Sequence, residues 1–273
     1  MYFKKTRCPN CDSLHDEMNE CCPYCHTVNE TNAEFRKKHP MSFVPWYKEL
    51  IFALVGLVGF TVINLFVSLI LLLFLGEGYG EDEAYALMLI NTLSYVIFFI
   101  IVCALLIPNW RVILNKFKIP MAYLFGAIGF IVLVSFSIGY GYLVDFIYPS
   151  GGEGGNQSAV SEMVINYPII SFIIVGFVGP ICEEIAYRVG LFTLFRRVHP
   201  VLAYAGSALI FGLIHFDFFN PDILVEFLNL PHYVFAGLCF GFLYERKGLA
   251  ASTTAHILNN LLSIVMIIIA TRV

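Results

Sequence analysis

Residues 168–195 read PIISFIIVGFVGPICEEIAYRVGLFTLF, an apolar run with Glu183, Glu184 and Arg188 at its middle. The run exceeds the ~20 residues that cross a hydrocarbon layer ~30 Å thick. Each ionised group at mid-bilayer costs at least ~2.5 kcal/mol, so such residues face a polar interior and have a function. Glu184 and Arg188 stand four apart on one helical face and can neutralise one another. Glu183 lies ~100° around the helix and is left for other work. Pro180 has no N–H to donate, so the helix is expected to kink or restart there, setting both carboxylates near a positive helix end. The bland reading is a buried ion pair that fixes helix packing and nothing more.

Outward from this stretch, further apolar runs occupy roughly 50–75, 84–107, 121–147, 201–216, 223–244 and 249–270, the 201–216 run being short. The chain of 273 residues is 59% hydrophobic and 13% charged, with a mean hydropathy of +0.77. Too few polar groups exist to coat a soluble globule of this size. The expected fold class is an all-α polytopic membrane protein with about seven transmembrane helices, or eight if Pro231 splits the 223–244 run. A net charge of −4 and the lack of a basic stripe interleaved with aromatics give no reason to expect a nucleic-acid partner.

Connections carrying Arg111, Lys116 and Lys118, then Arg196 and Arg197, then Arg246 and Lys247 alternate with GEGYGEDEA, YPSGGEGGNQSAVSE and DFFNPD, which contain no Lys or Arg. Short basic loops stay cytoplasmic. The N-terminal region is also basic, so the expectation is an integral protein of the plasma membrane with its N-terminus in the cytoplasm and its C-terminus outside. The opening MYFKKTRCPNC runs into a polar, cysteine-rich stretch and is not a secretory signal.

Residues 1–45, closing with KKHPMSF, read as a cytoplasmic ribbon and linker ahead of a helical membrane domain at 46–273. Cys8-Pro-Asn-Cys11 and Cys22-Pro-Tyr-Cys25 form two CxxC knuckles, each able to offer two thiolates to a tetrahedral metal. A cytoplasmic position argues against disulfides, and so little apolar content needs a metal to fold, which points to structural zinc rather than redox cysteines. Cys21 breaks the spacing and is set aside. Four thiolates fill the shell and leave no open position for catalysis. The Gly-rich stretch 150–155 reads as a flexible outer connection, and Gly237 with Gly241 as a GxxxG face for close helix approach.

Two other apolar runs carry polar groups: His215 in FGLIHFDF, and His256 with Asn260. The last two, four apart, share one helix face. Counting a ~1.5 Å rise from the cytoplasmic loops puts Glu183 ~20 Å deep, His215 ~21 Å, His256 ~13 Å and Asn260 ~19 Å, so these groups can meet near the bilayer centre. A carboxylate and a histidine that share one water can deprotonate it toward a carbonyl carbon. A second histidine and an amide can then donate to the oxyanion. There is no HExxH and no recognisable Ser or Cys nucleophile motif, and the acidic, apolar setting of Cys182 disfavours a reactive thiolate. Asp145, Asp217, Asp222, Glu226 and His232 read as interfacial and solvated, and Asn64 and Asn91 as interhelical hydrogen-bonders.

Glu183-Glu184-xxx-Arg188, Phe211-xxx-His215 and His256-xxx-Asn260, in that order and with GLCFGFLYERKGL at 237–249 before the last, resemble the EExxxR, FxxxH and HxxxN motifs of the CAAX prenyl endopeptidases and bacteriocin-processing enzymes, the Abi family. The resemblance covers about residues 165–262, which would be the protease core. It implies an intramembrane endopeptidase that cuts a membrane-associated peptide or protein. Glu183 and His215 would activate water, Glu184 and Arg188 would support them, and His256 and Asn260 would stabilise the oxyanion. Members have been described both as metalloproteases and as metal-independent glutamate proteases. Glu183, His215 and His256 could ligate a metal, so a catalytic metal stays open beside a metal-free water. The ribbon lies outside this core, as a module for regulation or for docking a protein partner. The competing readings are a membrane immunity or scaffold protein that retains the fold, and a proton-coupled transporter using the two glutamates.

Overall fold

The computed structural model describes residues 4–39, 41–76, 80, 82–149 and 152–271. Pro40 of the linker, positions 77–79 and 81 of the first outer connection, and Ser150 and Gly151 of the Gly-rich stretch lie outside the described residues.

At the N-terminus, β1 (Lys5–Arg7) pairs antiparallel with β2 (Leu14–Asp16), and the first CxxC knuckle sits between them. Both knuckles fold alike. The Asp12 N–H donates to the Cys8 carbonyl and the His26 N–H to the Cys22 carbonyl, each at 2.9 Å. Asp12 (φ 61°) and His26 (φ 56°) occupy the left-handed region just after the second cysteine, a conformation that short polar side chains tolerate better than most. Helix α1 (Ala33–Lys38) closes the ribbon, with Asn32 as its N-cap accepting from the Phe35 N–H.

Six helices are long and apolar enough to cross a membrane: α2 (Trp46–Leu75), α3 (Glu83–Lys116), α4 (Pro120–Ile147), α6 (Pro168–Val198), α8 (Ile223–Lys247) and α9 (Leu249–Ala270). Between α4 and α6 lies α5 (Gly155–Asn166). The short run forms α7 (Leu202–Leu213), which rises only ~18 Å and cannot cross the layer alone. Helix α8 passes through Pro231 without a break, so no eighth span arises. Leu73, Phe74, Ile131 and Phe146 point outward with more than half their surface uncovered, the exposure that lipid solvates.

Close backbone approach holds the bundle together. A Cβ on Gly190 of α6 would lie 2.6 Å from the Ala53 nitrogen of α2, and one on Gly237 of α8 would lie 2.9 Å from the Ala208 Cα of α7. The second approach is the packing that the GxxxG spacing implies.

Basic connections gather at one end of the bundle, beside the ribbon. Lys48 donates to Asn109 Oδ1 at 2.6 Å, and Asn109 Nδ2 donates to Thr27 Oγ1 of the ribbon at 2.8 Å. Arg197 grips the fully buried Glu49 at 2.5 and 3.0 Å, and Arg196 pairs with Glu245 at 2.8 Å. At the other end, Tyr148 donates to Asp222 at 2.8 Å, and the Gly155 N–H that begins α5 donates to Glu226 at 2.6 Å.

Candidate active site

Helix α6 does not restart at Pro180. It widens instead into π-helical turns on both sides of the proline, at Ile174–Val178 and Glu184–Phe192. Wider i→i+5 bonding absorbs a missing donor and often marks a functional site. The two glutamates therefore sit within a continuous helix and gain nothing from a helix end.

Glu184 and Arg188 are completely buried, with Arg188 Nε 3.3 Å from Glu184 Oε2. Neither of these two atoms makes an aligned hydrogen bond, and both terminal nitrogens of Arg188 also lack a hydrogen-bond partner among the described residues. Aromatic faces complete the setting of this cation, with its guanidinium carbon 4.8 Å from the Phe211 ring centre and 5.5 Å from that of Phe240. The other Glu184 oxygen lies 3.1 Å from His256 Nδ1, so one carboxylate bridges an arginine and a histidine from a different helix.

Glu183 turns the other way. The Tyr95 hydroxyl of α3 donates to its Oε1 at 2.9 Å, and its Oε2 faces His256 Nε2 at 3.7 Å. His256 thus lies between the two glutamates, and its Phe240 neighbour stacks on the imidazole with ring centres 4.5 Å apart. His215 Nδ1 is 2.8 Å from the Phe211 carbonyl. A carbonyl only accepts, so Nδ1 carries a proton, and in the neutral ring Nε2 keeps its lone pair. Tyr233 stacks flat on this imidazole, with centres 4.6 Å apart and planes at 13°. One amide N–H of Asn260 donates to the Val175 carbonyl at 2.9 Å, within the first π turn.

A cavity of about 660 Å³ meets these groups, its wall including Tyr95, Glu183, His215, Tyr233, His256 and Asn260. Of the six residues singled out by motif, Glu183, His215, His256 and Asn260 line the cavity; Glu184 and Arg188 lie behind them with no exposed surface.

Several residues take different places from those expected. Glu226 is only 2% exposed and accepts from the Gly155 N–H, Asn220 Nδ2 and the Asp217 N–H at 2.6, 2.6 and 3.1 Å, so it ties α5 to the turn after His215 and is not solvated. His232 lines the cavity and lies 3.4 Å from Ser137 Oγ. Asn91 bonds back to the Leu87 carbonyl of its own helix at 3.0 Å. Tyr95 and Tyr233 carry no motif, and only the neighbouring helices reveal their positions.

The second centre is the ribbon. Among the described residues, the group of three or more His, Cys, Asp or Glu donors drawn close enough to hold a metal ion is Cys8, Cys11, Cys22 and Cys25, whose sulfurs all lie within 4.8 Å of one another. Cys8 and Cys25 stand 3.5 Å apart, and Cys11 and Cys22 3.6 Å. These separations approach the ~3.8 Å edge of a tetrahedron with ~2.3 Å metal–sulfur bonds and are far longer than the ~2.05 Å of a disulfide. Burial pushes the Cys8 thiol up to about 12, whereas at Cys25 burial is outweighed by hydrogen bonding with Thr27, Asn10 and Cys11 and its thiol falls below the ordinary value. A cation is what would bring all four to the thiolate form, with release of protons.

Residues 165–262, the segment holding all three membrane motifs, match the family model described as Type II CAAX prenyl endopeptidase Rce1-like. A protein of Bacillus subtilis (strain 168) named "Putative membrane peptidase YdiL" is 27% identical over 198 residues, covering 70% of this chain and 76% of that one. An uncharacterized protein of Mycoplasma capricolum subsp. capricolum is 30% identical over 163 residues, covering 56% of this chain and 45% of its own. No solved structure matches the chain.

Proposed function

We propose that this protein is an intramembrane endopeptidase that hydrolyses a peptide bond of a membrane-associated peptide or protein. The observation that carries the reading is Glu183: one oxygen is fixed by Tyr95, and the other faces His256 on the wall of a cavity within the span. The match over residues 165–262 and the relative named a membrane peptidase agree with it.

In this mechanism the Nε2 of a neutral His215 accepts one O–H of a bound water while Glu183 takes its other proton, the resulting hydroxide adds to the substrate carbonyl, and Glu183 returns that proton to the leaving amide nitrogen as the C–N bond breaks. Glu184, ionised beside Arg188, can only accept from His256 Nδ1. To donate to the oxyanion from Nε2 as well, the His256 ring would have to carry both protons, and the two glutamates with Arg188 beside it would balance that charge. The second amide N–H of Asn260, not used by Val175, joins it as the other oxyanion donor. In the ribbon, Cys8, Cys11, Cys22 and Cys25 would hold a zinc ion in a structural role, since four thiolates leave no open position.

The test is purified protein in detergent against a panel of membrane-anchored peptides, with and without chelator. Glu183→Ala and His215→Ala should each lower the cleavage rate by at least ~10²-fold while the protein stays folded in the membrane. Cleavage that survives both changes would refute the mechanism, and a cellular phenotype that survives both would support an immunity or scaffold role. Loss of wild-type cleavage with chelator, restored by a divalent metal, would move Glu183, His215 and His256 to the role of metal ligands. Metal analysis of the purified chain, expected to give one zinc per molecule, checks the ribbon.

A further inference from the structure

Glu183 separates two unlike halves of the bundle. Toward the ribbon, the interior is solid: Arg188, Phe192, Ala203 and Tyr244 have at most 1% of their surface exposed. Thr193 and Tyr244 share a hydrogen bond at 3.0 Å, and Gly241 lies so close to the Phe192 ring that a Cβ there would come within 3.0 Å of it. Among the described residues, these close-packed rings stand between the ribbon end and the glutamates, and a substrate coming from that side would have to displace them.

Away from the ribbon, the interior is hollow. The cavity beside Glu183 is walled by the halves of α3, α4, α8 and α9 that lie far from the basic connections, at Asn91, Ser137, Asn229 and Ser263 among others. It shares Ser137, Gln157, Asn229 and His232 with a second cavity of about 210 Å³, which reaches Tyr148, Gly152 and Glu153 in the connection before α5. The two cavities adjoin at those four residues and together extend from Glu183 toward the end of the bundle opposite the ribbon. Helix α5 roofs that path, pinned by Glu226 at the Gly155 N–H and by the Asn156 bond to the Tyr233 hydroxyl at 3.2 Å.

We propose that the scissile bond reaches Glu183 from the face opposite the ribbon, so that the substrates are peptides or proteins whose cleaved segment lies on the extracytoplasmic side and not in cytoplasmic tails. The side follows from charge: Arg111, Lys116, Arg196, Arg197, Arg246 and Lys247 all belong to the ribbon end, and the connections at the other end carry no Lys or Arg. The substrate class rests on the endopeptidase reading; the route rests on the cavity geometry and its side on the charge of the connections.

Labelling separates the two. In the full chain with its four ribbon ligands intact and Cys21, Cys103, Cys182 and Cys239 replaced by Ala, Gln157→Cys marks the path, and Val198→Cys, at a position 74% exposed near the ribbon end, marks the other face. A membrane-impermeant maleimide should label Gln157→Cys at least tenfold faster in intact cells than in sealed inverted vesicles, and Val198→Cys the reverse. Should Gln157→Cys fail to fold, Ser263→Cys, which also lines the cavity, replaces it. Labelling of the path cysteine from the Val198 side, or from neither side while Val198→Cys reacts, overturns the route. Sealed proteoliposomes sorted by the same labels are then given a fluorescence-quenched peptide panel on one face at a time. Cleavage from the path face alone supports the proposal, and cleavage from the ribbon face overturns it. No cleavage from either face, with labelling as expected, refutes the endopeptidase reading and the substrate class while the route stands.

Discussion

The ribbon and the membrane centre both gather polar ligand atoms, but they close in opposite ways. In the ribbon, four like side chains from one short segment surround a point, and local backbone turns set their spacing. In the membrane centre, unlike side chains from α3, α6, α9 and the turn after α7 line part of a cavity whose remaining lining carries no Asp, Glu, Lys or Arg. A closed shell suits a structural ion, and a one-sided cluster suits a group that must meet a substrate. Local sequence suffices to build the first; the second exists only when distant helices pack.

The largest effect expected from breaking this contrast is metal removal. A structural zinc contributes ~10–16 kcal/mol of apparent binding free energy that is also folding free energy. Prolonged chelation, or Cys22→Ser, should unfold residues 4–39, and limited proteolysis should cut there first. The membrane helices, held by their own packing, should remain protected. Simultaneous loss of both would mean that the two centres fold as one unit.

Next in size is Arg188→Ala, which leaves Glu184 buried without its cation and should cost ~3–5 kcal/mol, read as a fall in the melting temperature in detergent. Replacing both members, Glu184→Met with Arg188→Leu, should cost clearly less than the single change, because no unpaired charge remains. If the double variant melts lower than Arg188→Ala, the pair contributes more through its shape than through charge balance.

A smaller change tests the wall itself. Tyr95→Phe removes one hydrogen bond to the Glu183 carboxylate, worth ~1.5–3 kcal/mol for a charged acceptor, or roughly 10- to 100-fold. The loss should appear in kcat, with KM within about twofold, if Tyr95 orients the carboxylate and does not bind substrate. A matching rise in KM would assign Tyr95 to substrate binding instead.

These three changes differ in how far the sequence alone could anticipate them. The CxxC spacing is local, so its four ligands are legible without any tertiary structure. Glu184 and Arg188 are legible because residues four apart stay nearly on one face even where α6 widens to π-helical bonding. His215, His256 and Asn260 stand out as polar groups in apolar helices, yet their partners do not: nothing local indicates that His256 lies between two glutamates or that Asn260 binds Val175. Tyr95 is one of 15 tyrosines, and a tyrosine in an apolar helix reads as packing or an interfacial anchor until α3 is placed beside α6. Glu226 and His232 look solvated by their nearness to a span end or to Pro231, but α5 and α4 fold over them. Pro180 misleads in another way, since a missing N–H implies a break only when the helix cannot widen around it.

The smallest expected effect concerns how the two regions join. Lys116 pairs with Glu30 of the ribbon at 3.0 Å, with 28% and 43% of their side chains exposed, and solvent screening limits such a pair to at most ~1 kcal/mol. The buried joint of Lys48, Asn109 and Thr27 is sheltered from water and salt. Glu30→Gln should therefore leave protease protection of the ribbon within about fivefold of the parent chain, and raising the salt concentration should change it just as little. Marked loosening of the ribbon by either treatment would show that surface charge, and not the buried polar joint, holds the ribbon to the membrane helices; a regulator could then release it through ionic contacts alone.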